Sequence, residues 1–172
     1  IPLFSLESRR PIADFDFLGF SLQYEMIYSN VLNMLDLAGI PLDAKARGAD
    51  MPFVVGGGPC VYNVEPIAEF FDFFVIGEGE EVLLEICDAF LAWDSAGREG
   101  GRTGFLTRLL AIDGIYVPAF YEPVYDAAGN FRELRSLHPE ARPVIYKRVV
   151  RDMNEAMSVE HPIVPYMDIV HN

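Results

Sequence analysis

The chain has 172 residues, 51% of them apolar and 13% aromatic, which is enough for a sizeable core and too much for wholesale disorder. Its net charge of −13 is concentrated in residues 1–99, where 17 acidic groups outnumber 5 basic ones, and this argues against binding a nucleic-acid backbone. No run approaches the roughly 18–20 apolar residues that cross a bilayer, and Arg9, Arg10 and Asp14 interrupt any signal-peptide core, so the expected compartment is the cytoplasm.

In chain order, Ile1–Ser8 reads as a short strand or the tail of one. Phe15–Leu22 is apolar almost throughout, as a parallel strand covered on both faces should be. A helix follows, with Ser29 as its N-cap, Val31, Met34, Leu35 and Ala38 at helical spacing, and Gly39 and Pro41 as its stop. The stretch Met51–Glu81 then repeats strand, glycine cluster and helix twice. Phe53-Val54-Val55 runs into Gly56-Gly57-Gly58, with Pro66 just inside a helix. Phe73-Phe74-Val75-Ile76 runs into Gly77-Glu78-Gly79-Glu80-Glu81, whose carboxylates suit a helix N-terminus. Such repetition predicts a parallel α/β sheet.

The second helix is expected over about Glu80–Trp93. Leu83, Ile86, Cys87 and Phe90 form its buried face, and Val82, Ala89 and Trp93 widen it. After a glycine-rich break, Phe105–Ala111 reads as a short helix. The segment from Gly114 to Leu137 alternates aromatic and polar residues around Ala128-Gly129-Asn130, which predicts a β-hairpin with Pro118 and Pro123 on an edge strand. Val144–Val150 is a last extended run expected to join that hairpin. Residues 153–172, with Pro162 and Pro165, read as a linker. Residues 100–151 carry 8 basic and 5 acidic groups, and a solvated face explains that excess better than an anionic partner does.

All strand carboxyl ends of a parallel sheet lie along one edge, where open α/β sheets bind ligands. Ser21, Gly56, Gly57 and Gly58, and Gly77, Glu78, Gly79 and Glu80 should therefore converge. Glu78 and Glu80 can accept hydrogen bonds from ligand amides or hydroxyls, and equally can serve the helix dipole. No Gly-Lys-Ser/Thr phosphate loop is present, and the Gly77–Val82 run lacks the last glycine of a dinucleotide turn. Two cysteines, Cys60 and Cys87, cannot by themselves hold a zinc or iron–sulfur site. Cys87 is read as core. Cys60 either fills an apolar gap or faces a ligand. His138, His161 and His171 stand near no nucleophile and in no metal-ligand spacing, so no catalytic residue and no metal site is assigned.

The runs Gly19–Ser21 (GFS), Val54–Pro59 (VVGGGP) and Val75–Glu81 (VIGEGEE) resemble the N-terminal cobalamin-binding-like domain of radical S-adenosylmethionine (radical SAM) proteins. Leu6–Leu42 is especially similar to a bacterial branch of that superfamily. The resemblance implies a three-layer Rossmann-like (flavodoxin-like) parallel sheet, incomplete at its N-terminal side, with a small β-hairpin appendage. It implies a cobalamin-binding-like domain over 1–97, a helix and hairpin over 98–152, and a linker over 153–172 toward a radical SAM domain. Ser21 and Gly56–Gly58 fall where the family's Ser and Gly-Gly hold the cobalamin tail, and the Gly77–Glu80 run is a family hallmark. The [4Fe–4S] cluster and S-adenosylmethionine would belong to the radical domain, whose Cys-x3-Cys-x2-Cys loop is not in this sequence. The Asp-x-His-x-x-Gly motif of His-on cobalamin domains is also absent.

The expected function is thus a cofactor-binding or accessory domain of a radical SAM iron–sulfur protein, not catalytic alone. Its expected partners are its own radical domain and, through an uncovered sheet edge, a second copy of itself. Neither nucleic acid nor membrane is expected. Two other readings are a ligand-free scaffold that docks the radical domain and a partner, and a nucleotide or nucleotide-sugar binder using the same edge.

Overall fold

The structure, a computed structural model, describes residues 3–154 and 156. Its centre is a four-stranded sheet in the order β1 (Phe17–Ser21), β2 (Phe53–Gly57), β3 (Phe73–Val75), β4 (Ile115–Tyr116). The first three strands are parallel, with Phe17 opposite Phe53 and Val55 opposite Phe73, as the repeated strand–glycine pattern requires. β4 runs antiparallel to β3, so the sheet is mostly, not wholly, parallel. Sequence alternation places successive strand side chains on opposite faces. On one face Phe17, Phe53 and Phe73 pack into an aromatic cluster with Phe90, Trp93 and Phe105. On the other, Phe20, Phe71, Phe74 and Tyr116 form a second stack.

The helices are α1 (Tyr28–Leu37), α2 (Val82–Ser95) and α3 (Gly101–Leu109). α1 buries Val31 and Leu35, as its spacing demands, but starts at Tyr28 behind a 3-10 turn at Glu25–Ile27, with no side-chain cap; Ser29 lies inside it. The crossover from β2 to β3 holds no α-helix. It is two 3-10 turns, Pro59–Tyr62 and Glu65–Phe70, which bury Val61, Ile67 and Ala68. Both parallel crossovers step the same way across the sheet, so the right-handed rule places them on one face, opposite α2 and α3.

α2 corrects the expected face. Val82, Ile86 and Trp93 are its buried residues, with Ala89 and Phe90 partly buried. Cys87 is exposed, and Leu83 and Leu91 are 56% and 64% exposed. The helix is apolar on two flanks, and the Phe17–Phe53–Phe105 cluster receives only one of them.

α3 starts four residues before Phe105, because Arg102 is anchored on the carbonyls of Met51 and Pro52 and on Asp72. Its Phe105, Leu106 and Leu109 enter the same core. Ile115-Tyr116, expected in the hairpin, instead forms the fourth strand of the main sheet. The hairpin itself is β5 (Tyr121–Tyr125) and β6 (Phe131–Ser136), closed by Asp126, whose side chain accepts from the backbone N–H groups of Ala128 and Asn130. Residues 3–11 form no strand, only a single antiparallel bridge between Phe4 and Pro11. The Val144–Val150 run does not join the hairpin: Arg148 bridges Gly77 at the end of β3. Most of the linker, 157–172, lies outside the described residues.

Candidate functional site

The carboxyl edge is where the parallel strands bring the sequence-assigned residues together. Ser21 ends β1 and is the direct register partner of Gly57, which ends β2. The Ser21 hydroxyl is exposed and accepts a hydrogen bond from Gln23 Nε2 at 3.0 Å. A Cβ built on Gly57 would meet nothing within 4 Å, so the space above this pair is open. Gly57 has no left-handed backbone; the residue that does is Gly58, at φ 98°, where a Cβ would sit 3.1 Å from the Leu22 backbone. Gly58 therefore serves the close approach of the β1 and β2 exits, which Leu22 N–H to Gly57 and Cys60 N–H to Leu22 hold together. Gly56 faces inward. A Cβ there would lie 2.5 Å from the Phe74 ring, so this glycine makes room for an aromatic core residue. Cys60 is partly buried and packs against that core.

The third turn is built differently. Gly77, at φ 109°, lies against Arg148, whose backbone a Cβ would strike. Arg148 donates its N–H to Ile76 (2.8 Å) and accepts from Glu78 N–H (3.1 Å), extending the ladder beyond β3. Its guanidinium reaches Glu81 at 2.9 Å and Glu85 at 2.5 Å on the first turns of α2. These carboxylates raise the Arg148 pKa above its ordinary value, Glu81 first. The Glu78 carboxylate accepts the N–H of Val150. So Gly77 and Glu78 meet the chain's own return segment, while Gly79 has no neighbour within 4 Å of a built Cβ. Between them and α2, Glu80 Oε2 is buried with no hydrogen-bond partner among the described residues. A buried acceptor of this kind normally has a donor.

A larger groove, about 660 Å³, opens at the other end of the sheet, beside the residues that precede β2 and β3. Its walls include Arg47, Asp72 and Arg102 on one side and Tyr116, Tyr121 and Pro123 on the other. The buried polar groups there are already matched. Asp72 accepts from Arg47, Arg102 and the Val54 N–H, and Tyr116 donates to Glu65 at 2.6 Å. Burial pushes the Arg47 guanidinium down from its ordinary value against the pull of Asp72. Sequence reading missed this cluster, because two arginines 55 residues apart on either side of one aspartate leave no local signature. Arg47, Asp72 and Arg102 form a structural knot in the wall of the groove.

No group of three or more His, Cys, Asp or Glu side chains among the described residues is placed to hold a metal ion. The basic middle of the chain is largely paired, Arg102 with Asp72, Arg132 with Asp126, Arg142 with Asp113 and Arg148 with Glu81 and Glu85. No described helix is long and apolar enough to cross a membrane.

The family described as radical SAM proteins, N-terminal, matches residues 1–118. The uncharacterized protein MJ0966 of Methanocaldococcus jannaschii is 37% identical over 89 residues, which are 50% of this chain and 18% of that protein. The chain thus spans less than a fifth of the relative it matches. No solved structure matches.

Proposed function

We propose, from the premise that the chain belongs to the family of radical SAM protein N-terminal regions, that it is a non-catalytic accessory domain whose carboxyl edge holds a cobalamin-type ligand. The observation that carries this reading is the Ser21–Gly57 pair, a hydroxyl and a glycine with open space above its Cα, set side by side by strand register. The unpartnered Glu80 Oε2 on the same edge adds an acceptor that a ligand amide could satisfy. Cobalamin, when bound, supplies alkyl or electron transfer; this chain's residues would only hold and orient it. The [4Fe–4S] cluster and S-adenosylmethionine belong, in this proposal, to a radical domain of the same protein, which is also its main partner.

The test is titration of wild type and Gly57→Val with hydroxocobalamin, alongside their melting curves. Binding by wild type, lost in the variant while the melting temperature is kept, supports the ligand site. Equal tight binding by both proteins refutes its placement. A specific observation favours a second reading: Gly56, Gly58 and Gly77 each accommodate another part of the same chain. If wild type binds nothing, the glycine motifs serve the fold, and the domain is a scaffold that docks the radical domain. The same titration with a nucleotide or nucleotide-sugar tests the third reading.

A further inference from the structure

We infer that Ile145–Val150 is a displaceable strap that closes the third turn of the carboxyl edge, and that a ligand reaching from the Ser21–Gly57 pair onto Gly77 and Glu78 must lift it. The claim about the ligand rests on the reading above; the claim about the strap does not.

Three features define the strap. Its hold on the sheet is narrow: Arg148 bonds Ile76 and Glu78 through its backbone, and Val150 N–H bonds the Glu78 carboxylate. Its receptor is shaped for it, since a Cβ on Gly77 would strike the Arg148 backbone and one on Gly114 would come within 3.0 Å of the Arg148 side chain. Its clamp is electrostatic and half in water: the Arg148 side chain is 19% exposed, and Glu81 and Glu85 are 47% and 41% exposed. The apolar hold is limited to its two ends, because Tyr146, Lys147 and Val149 are exposed while Ile145 packs half-buried against the core and Val150 is buried. Such a segment opens locally without unfolding the sheet beneath it.

The strap covers the same backbone that a ligand at this turn would use. Glu78 N–H and the Ile76 carbonyl are occupied by Arg148, and the Glu78 carboxylate by Val150. Strap and ligand are then mutually exclusive at Gly77–Glu78. By linkage, whatever loosens the strap strengthens ligand binding, and ligand binding loosens the strap by the same factor.

The experiment is amide hydrogen exchange on the 172-residue chain and its Arg148→Ala variant, with hydroxocobalamin titrated into both. Removing two half-exposed ion pairs should speed exchange at Glu78, Arg148 and Val150 by about three- to tenfold, with Phe53–Val55 and Phe73–Val75 unchanged. Equal exchange in the two proteins, or exchange at these amides only together with the core strands, overturns the strap. If it stands, the variant should bind hydroxocobalamin more tightly than wild type by a similar factor. Equal binding by both, or tighter binding by wild type, overturns the competition. Binding by neither protein removes the ligand and with it the gating claim, while the exchange data still decide whether the strap opens.

Discussion

Asp72 grips Arg47 through Oδ2 at 2.7 Å, and neither side chain is more than 3% exposed. The other carboxylate oxygen holds Arg102 at the same distance, and Arg102 lies 4.0 Å over the Phe53 ring. Arg47 also donates to the carbonyls of Pro41, Leu42 and Phe70, so the cluster ties the loop before β2, the crossover and α3 together. Asp72→Ala would leave a buried guanidinium unpaired and should cost about 3–5 kcal/mol. Urea denaturation measures it, and a loss below about 1 kcal/mol would mean the cluster is wetter than its burial indicates.

Gly56 and Gly57 are adjacent, and their substitutions should diverge. Gly56→Ala puts a methyl against the Phe74 ring and should destabilise by about 1–3 kcal/mol. Gly57→Ala projects into open space and should stay within about 0.5 kcal/mol of wild type. Thermal melts of the pair decide it. Equal losses would show that Gly57 also packs against something.

Burial and the hydrogen bond to Glu65 raise the Tyr116 pKa well above its ordinary value of 10.0, burial being the larger cause. Burial raises Tyr121 as well. A raised pKa means the folded chain holds the proton more tightly. The stability it confers is complete below the ordinary tyrosine range and is lost as pH climbs toward the folded value. Urea midpoints followed from about pH 8 to about pH 11 should fall at the alkaline end. Tyr116→Phe should lower stability by about 1 kcal/mol at neutral pH and flatten the alkaline fall. A wild-type Tyr116 that ionises at its ordinary pH, seen by ultraviolet titration, would contradict the burial assigned to it.

Among the described residues β1 is hydrogen-bonded on one side only, and Phe90, which touches Phe17 of β1, places α2 above that edge. The exposed flank of α2 carries Leu83, Cys87 and Leu91. An open strand edge and an exposed apolar helix flank each favour association. Sedimentation equilibrium should show the average mass of the chain rising with concentration, and Leu83→Lys with Leu91→Lys should suppress the rise. A wild-type monomer at every concentration would mean the edge is protected as it stands.

The parallel sheet was legible because fully buried strands bounded by glycine leave a local mark, as at Phe53–Gly58 and Phe73–Gly79. The helix faces were less so. α2 carries Leu83 and Leu91 as well as Val82, Ile86 and Trp93, and periodicity cannot say which flank meets the sheet; the aromatic partners Phe17, Phe53 and Phe105 decide it. Gly97, Gly100, Gly101 and Gly104 disguised the start of α3, which a contact 30 residues away in sequence, Arg102 to Asp72, secures. At the edge, spacing alone brought Ser21 and Gly57 together correctly. It could not foresee Gly77 against Arg148, because the partner is remote and the bonds are made by backbone, which has no sequence signature.

The contact between Arg148 and the start of α2 has a consequence in time as well as in space. Glu81 and Arg148 are 67 residues apart, and everything needed for the first three strands and α2 is synthesised before Arg148. At roughly 5–20 residues per second, a nascent chain would spend several seconds with the end of β3 bare and the backbone of Ile76 and Glu78 open to water or to a small molecule. A ligand present at the ribosome would meet the edge before the strap exists to compete for it, so loading during synthesis and loading of the finished protein should differ in rate even where they reach the same complex.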